Sequence, residues 1–254
     1  MTLYCFPFAG GNAWSYRPLQ AKLSPRVTVD GLELPGRGRR SAEPLCPSLE
    51  QLADDLVAQL RPRLSAEPFA FYGHSMGALL ALLTARRLRE HGLPQPGVLI
   101  VSGSDAPSVM PERRRHLLPP AEFVAMLQEL GGCPPQVLED RELLAFFEPI
   151  LRADFQAVET WDRRAEAPLA APIVALIGAD DETSAEGARA WAGETGAACE
   201  THEYPGGHFF ILDHWDALAR LIEEQLARAA SVVAAGTEVP GSSGSGAPGS
   251  SAWV

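Results

Sequence analysis

The chain has 254 residues, enough to bury a full core as one α/β domain or as two small ones. Its hydrophobic fraction of 46% excludes a disordered chain. A net charge of −11, with a pI near 5.0, argues against a binder of nucleic acid or anionic membrane.

In chain order, Leu3 to Phe6 reads as a short strand running into Pro7-Phe8-Ala9-Gly10-Gly11. The N-terminus lacks a basic region and Pro7 interrupts its apolar run, so it does not read as a signal peptide. Paired glycines after an early strand let backbone amides point into a cleft, as the second oxyanion donor of a hydrolase requires. A plain tight turn accounts for them equally well. Val27 to Val29 is the next strand candidate. The loop that follows, Leu34-Pro35-Gly36-Arg37-Gly38-Arg39-Arg40, carries arginines that read first as solvated charge. Ser48 is placed to cap a helix whose apolar positions Leu49, Leu52, Leu56, Val57 and Leu60 recur at three and four residues.

Phe69-Ala70-Phe71-Tyr72 reads as a buried strand. It ends in Gly73-His74-Ser75-Met76-Gly77 and passes at once into Leu79-Leu80-Ala81-Leu82-Leu83, which reads as a helix. Strand, tight turn and helix are the setting of a nucleophile elbow, in which the glycines leave room for a sharp turn. The serine then sits at the positive end of the helix. An ordinary loop serine between two glycines would lack those flanks. Ser75 is therefore the candidate nucleophile.

Gly92 is placed as a C-cap, and Pro94 and Pro96 lead into Val98 to Val101, another buried strand. From Pro107 the pattern becomes helical, with Phe123, Met126, Leu127 and Leu130, then Leu143, Leu144, Phe147 and Leu151. Prolines 119, 120, 134, 135 and 149 are expected to break this stretch into several helices. A helical insertion over residues 107–170, cut by Pro and Gly, suits a lid, and a structural helical layer suits it nearly as well. Ile173 to Ile177 resumes the sheet and ends in Gly178-Ala179-Asp180-Asp181, where open α/β sheets keep their chemistry. Residues 184–192 suit a helix, Cys199 to Tyr204 the last strand, and Leu212 to Leu226 a closing helix after Gly207-His208-Phe209-Phe210. The expected domain is 1–230, an α/β fold with a mostly parallel central sheet flanked by helices. Residues 231–254 form a Gly/Ser/Pro-rich tail that cannot bury a core. There is no internal repeat, and no apolar run approaches membrane-spanning length.

Ser75, Asp181 and His208 stand in the Ser…Asp…His order of α/β-hydrolases, each after a predicted strand. The histidine would take the serine proton while the carboxylate fixes its tautomer and stabilises the imidazolium. Two other acids remain open: Asp180 adjoins Asp181, and Asp105 follows the strand after the elbow, where some hydrolases place theirs. The other histidines are badly placed for a base. His74 lies inside the elbow, His91 at a helix end, His116 in the insertion, His202 within a strand and His214 in the closing helix. No metal site is expected, because His202, His208 and His214 fall on different elements. Cys5, Cys46, Cys133 and Cys199 include no Cys-x-x-Cys pair, which points to reduced thiols in a cytoplasmic protein.

Phe6-Pro7-Phe8-Ala9-Gly10-Gly11, Leu34-Pro35-Gly36-Arg37-Gly38, Gly73-His74-Ser75-Met76-Gly77, Gly178-Ala179-Asp180-Asp181 and Gly207-His208-Phe209-Phe210 occur together and in order. Over residues 2–230 the chain resembles the type II thioesterases that accompany polyketide synthases and nonribosomal peptide synthetases. The resemblance implies an α/β-hydrolase that removes stalled or wrong acyl groups from the phosphopantetheine arm of carrier proteins. It implies Ser75 as nucleophile, Asp181 as acid, His208 as base, and the backbone amides of Ala9 and Met76 as oxyanion hole. It implies no cofactor of the protein's own, the pantetheine arriving with the substrate; a cytoplasmic monomer is the expected form. The lid would occupy 107–170, with Phe123, Met126, Phe146 and Phe147 facing the acyl chain. An acyl or peptidyl carrier protein, generally acidic around its pantetheine, would be the partner. Arg37, Arg39, Arg40 and Arg113, Arg114, Arg115 are its candidate docking groups, solvated charge being the alternative.

Two departures from the family pattern are the start directly at the first strand and the Gly/Ser tail. Both would fit a trimmed chain or a domain cut from a longer polypeptide. They keep open an integrated chain-releasing thioesterase, whose acid often lies near Asp105. A binding module on a catalytically dead hydrolase scaffold is the reading from another class. The intact serine, aspartate and histidine argue against it.

Overall fold

Alternation along each buried strand sends its side chains into two different cores, and this builds the molecule. A computed structural model describes residues 1–65 and 67–236. Six strands are present among them: β1 (Thr2–Phe6), β2 (Thr28–Gly31), β3 (Phe69–His74), β4 (Leu99–Ser102), β5 (Ile173–Gly178) and β6 (Cys199–Tyr204). All pair in parallel, in the order β2-β1-β3-β4-β5-β6. Tyr4, Phe6, Phe69, Phe71, Leu99, Val101, Ile173 and Ala175 enter one core. Their neighbours Leu3, Cys5, Ala70, Tyr72, Ile100, Val174 and Leu176 enter the other. A parallel sheet covered on both faces needs continuous apolar strands, and β3, β4 and β5 are buried along their whole length.

The first core is closed by α2 (Leu49–Leu60) and α3 (Met76–Glu90), the second by α1 (Arg17–Gln20) and α8 (Trp215–Gly236). Ser48 caps α2, its side chain accepting the Gln51 amide. Gly92 follows the end of α3 with φ 62, the left-handed conformation of a helix C-cap. The closing helix carries residues 231–236 with it, so the expected tail begins later than 231. Residues 237–254 lie outside the described residues.

Chain order fixes where the site falls. From β1 the chain steps outward to β2, then crosses back to β3 on the other side of β1. The loops leaving β1 and β3 diverge, opening a crevice at their carboxyl ends. Tyr16, fully buried, staples this point: its hydroxyl donates to the Phe6 carbonyl at 2.8 Å and accepts the His74 amide at 3.3 Å.

Between β4 and β5 the insertion contains α4 (Pro120–Leu130), α5 (Pro135–Glu139) and α6 (Arg141–Glu159). The Pro119-Pro120 and Pro134-Pro135 pairs open helices, as proline at the first helical turn does. Pro149 was expected to break the chain but sits inside α6, which runs unbroken for 19 residues. An interior proline costs about 3 kcal/mol. Burial of Ile150, Leu151, Ala153 and Ala157 on the inward face offsets it.

Arg86 of α3 is buried and pairs with Glu194 at 2.5 Å and Glu166 at 3.6 Å, although its Nε has no partner. Arg86→Met leaves Glu194 uncompensated and is expected to cost about 3–5 kcal/mol in urea unfolding. Arg86→Met with Glu194→Gln should recover most of that loss. Equal destabilisation of single and double variants would contradict this account of the pair.

Candidate active site

Ser75 occupies the turn between β3 and α3 with φ 55 and ψ −121. It is the sole non-glycine residue among those described with positive φ. Its amide donates to the Ser102 carbonyl at the end of β4, at 2.7 Å. The turn can be this tight because a Cβ on Gly73 would lie 2.0 Å from the Gly77 carbonyl oxygen. One on Gly77 would lie 2.3 Å from that of Phe6. Ser75 makes no side-chain cap on α3, because its hydroxyl is turned to His208.

His208 follows β6, and its Nε2 lies 3.0 Å from Ser75 Oγ. Its Nδ1 lies 2.9 Å from Asp181 Oδ1, just past β5. The side chain of Asp181 is fully buried and that of His208 is 9% exposed, so this relay is shielded from water. Of the three candidate aspartates, Asp181 is the one that meets His208. Asp180 is exposed, and Asp105 turns to the Ser184 amide at 3.2 Å, at the start of α7 (Ala185–Arg189). Burial raises the Asp105 carboxyl above its ordinary range. The neighbouring His74 ring, 5.1 Å from that of His208, points its Nδ1 at Ser102 Oγ. Burial, and next His208 itself, hold His74 well below the usual imidazole range, so it stays neutral beside the relay.

Ser75 and His208 open into a cavity of about 290 Å³ between the sheet and the insertion. Phe8, Ala9 and Gly10 from the loop after β1 line it beside Ser75 and Met76. Among the described residues neither the Ala9 nor the Met76 amide donates to another protein group. The Gly10 amide is engaged by Asp154 at 2.8 Å. Two free amides flanking a serine hydroxyl are the arrangement that stabilises an oxyanion on an attacked carbonyl.

The insertion supplies the apolar wall through Leu127, Leu130, Val137, Phe147, Leu151 and Phe155. Of the four expected apolar residues, Phe147 lines this cavity. Phe123 is fully buried in the insertion's own small core, beneath the Arg152 guanidinium at 4.2 Å, and Met126 packs in that core too. Phe146 is 61% exposed and points away. Helical periodicity marked the insertion's apolar positions but could not say which side of each helix faces the cavity.

The arginines divide by their partners. Arg37 is buried and holds Asp154 through both terminal nitrogens, at 2.5 and 2.7 Å, which corrects its assignment as a docking group. Arg40 is engaged by Asp55 at 2.6 Å and by Glu43 at 2.6 Å, so it too is structural, leaving Arg39 exposed. Arg113 and Arg115 lie on the cavity rim, both paired with Glu182, and Arg114 is exposed. Burial acts upward on the Glu182 carboxyl, but the two arginines outweigh it and bring the group down to about 2. Glu159 of α6 fixes this turn by accepting the Arg115 and His116 amides at 2.8 and 3.0 Å. Among the described residues no cluster of His, Cys, Asp or Glu could hold a metal ion, and no helix is long and apolar enough to cross a membrane.

The sequence profile of the thioesterase domain family matches residues 1–226. A probable cadicidin biosynthesis thioesterase of Streptomyces griseus is 40% identical over 225 residues, 88% of this chain. This chain spans 62% of that relative's length. The thioesterase PikA5 of Streptomyces venezuelae is 37% identical, over 88% of this chain and 80% of its own. Among solved structures, the type II thioesterase BorB from the borrelidin biosynthetic cluster superposes with a TM-score of 0.81 at 40% identity, covering 89% of this chain and 92% of BorB.

A serine held in this way should react with a fluorophosphonate, and Ser75→Ala should abolish that labelling while leaving the thermal unfolding midpoint within a few degrees. His208→Ala should slow labelling by at least about a thousandfold, because the hydroxyl loses its base. Undiminished labelling of either variant in mass spectra would rule out the relay.

Proposed function

Because the chain belongs to the thioesterase domain family and is thus a thioester hydrolase, we propose that it removes acyl groups from the phosphopantetheine arm of carrier proteins in polyketide or nonribosomal peptide assembly, acting as an editing enzyme. The observation that carries this reading is the unbroken Asp181–His208–Ser75 relay opening into an apolar cavity roofed by the insertion. The relatives' part in such pathways supports the substrate class.

In the proposed reaction Ser75 Oγ attacks the thioester carbonyl while His208 Nε2 takes its proton. The amides of Met76 and Ala9 hold the oxyanion as it forms. Collapse breaks the carbon–sulfur bond, and His208 returns the proton to the departing pantetheine thiol. Water, deprotonated by His208, then attacks the acyl-serine carbonyl; the bond to Ser75 Oγ breaks, His208 returns the proton to that oxygen, and the free acid leaves. Asp181 keeps Nδ1 protonated and stabilises the imidazolium in both halves. The pantetheine thioester enters with the carrier, so the protein needs no cofactor of its own. The insertion acts as the lid of the acyl cavity, and the enzyme works as a cytoplasmic monomer.

An integrated chain-releasing enzyme would place its acid near Asp105. That carboxylate faces Ser184 and not His208, which favours the editing type. For docking, the exposed Arg114, between Arg113 and Arg115 of the cavity rim, suits an acidic carrier, with Arg39 the remaining exposed member of the earlier cluster.

On an acyl-carrier substrate, Ser75→Ala is expected to lower kcat on the order of a million-fold. Asp181→Asn should lower it by about ten-thousand-fold. Asp105→Asn should stay within about tenfold of the parent, and a larger loss there would revive the chain-releasing reading. Arg114→Glu should raise KM for the acyl-carrier protein about three- to tenfold and weaken its salt dependence. Turnover of the same acyl group on N-acetylcysteamine should be unchanged, and equal loss on both substrates would remove the docking role.

A further inference from the structure

The carboxylate of Asp154 gathers three distant pieces of chain. It lies on α6 with a side-chain exposure of 0%. Oδ2 accepts the Gly10 amide at 2.8 Å and Arg37 Nη1 at 2.5 Å, while Oδ1 accepts Arg37 Nη2 at 2.7 Å. Nη1 also donates to the Gly11 carbonyl at 3.5 Å. One buried carboxylate thus joins the insertion, the loop after β2 and the loop after β1 that flanks Ser75.

Stability alone is a poor account of this pair. A buried ion pair often does no better than apolar side chains of equal volume, because desolvation cancels much of the attraction. Here Arg37 Nε is left buried with no partner, which adds to the cost. What the pair does accomplish is geometric. The Phe8–Gly11 turn is closed by the Gly11 amide on the Phe8 carbonyl at 2.8 Å, and inside it the Ala9–Gly10 peptide is pinned by Asp154. The Ala9 amide shares its peptide with the Phe8 carbonyl that accepts Gly11, so with the next peptide also pinned by Asp154 the turn that aims this amide is held at both of its planes. Leu151, one turn earlier on α6, packs on the same loop, since a Cβ on Gly10 would lie 2.6 Å from its Cδ2.

We propose that Asp154, oriented by Arg37, is a positioning residue that holds the Ala9 amide at the oxyanion site and makes that site depend on α6 being seated. The inference rests on the acyl-serine reading above. If α6 moves away, the Gly10 amide loses its acceptor and the oxyanion site loses its geometry, so hydrolysis is coupled to a closed insertion.

The test uses an acyl-N-acetylcysteamine substrate and an alkyl trifluoromethyl ketone of matching chain length, whose adduct with Ser75 carries an oxyanion. Asp154→Asn is expected to lower kcat by about 10- to 100-fold with KM within about threefold. Ketone inhibition should weaken by the same factor as kcat/KM, a correlation that a purely structural role would not produce. Arg37→Met with Asp154→Leu removes both charges, so it should fold even if Asp154→Asn does not. It lacks an acceptor for Gly10, so its kcat and ketone affinity should remain low. A folded double variant with parental kcat and ketone affinity would overturn the inference, assigning the pair to the fold alone. A parent enzyme that neither turns over the thioester nor binds the ketone would bring down the functional reading, and this inference with it.

Discussion

The site depends on how closely the start of α3 approaches β1. Backbone meets backbone where Gly77 faces the Phe6 carbonyl and Gly73 faces Gly77, with no space for a side chain at either. That approach forces Ser75 into a conformation that costs an L-residue about 1–3 kcal/mol. It persists because both flanks are fixed, β3 in the middle of the sheet and α3 almost wholly buried. The outcome is a hydroxyl carried clear of the backbone, with the free first amide of a helix beside it. Other members of the relay need no strain of their own, since ordinary loops after β5 and β6 deliver them to the same rim.

The insertion meets the body by different physics. Its small core of Phe123, Met126, Leu127 and Leu151 is separate from the two cores of the sheet. Near the cavity part of its attachment is polar, through Asp154 to Arg37 and Gly10 and through Arg113 and Arg115 to Glu182. Ala157, near the end of α6, joins the core on the α3 side of the sheet, while Leu127, Phe147 and Leu151 face the cavity. An apolar cavity remains above Ser75, of a size and lining suited to an acyl chain.

Charge follows the same division. Arginine clusters that look alike in sequence serve different ends, because a guanidinium binds whichever carboxylate the fold brings within reach. Arg37 and Arg40 meet Asp154 and Asp55, while Arg113 and Arg115 share the single Glu182. Around the cavity three arginines, Arg113, Arg115 and Arg163, stand with three carboxylates, Asp105, Glu159 and Glu182, so the charges there balance on a protein whose net charge is −11.

The six strands, the helices α2, α3 and α8 and the Ser75 elbow were legible in the sequence because each rests on local rules, whereas the four-residue α1 carried no such signal. Those rules are apolar runs with alternation, a capping Ser48, a Gly92 terminator and glycines where backbones touch. Ser75 and His208 could be picked out from their places after strands. The acid could not, since Asp105, Asp180 and Asp181 all follow strands, and only the tertiary contact of Asp181 with His208 separates them. Phe123 and Phe146 carry the same apolar signal as Phe147, yet one fills a core, one faces solvent and one lines the cavity. Pro149 reads as a breaker, but burial of the α6 face carries the helix through it. Arg37 reads as solvated charge because its partner Asp154 is 117 residues away. Local pattern fixes what each segment becomes; which side chain meets which, across more than a hundred residues, is decided when the sheet and the insertion close on one another.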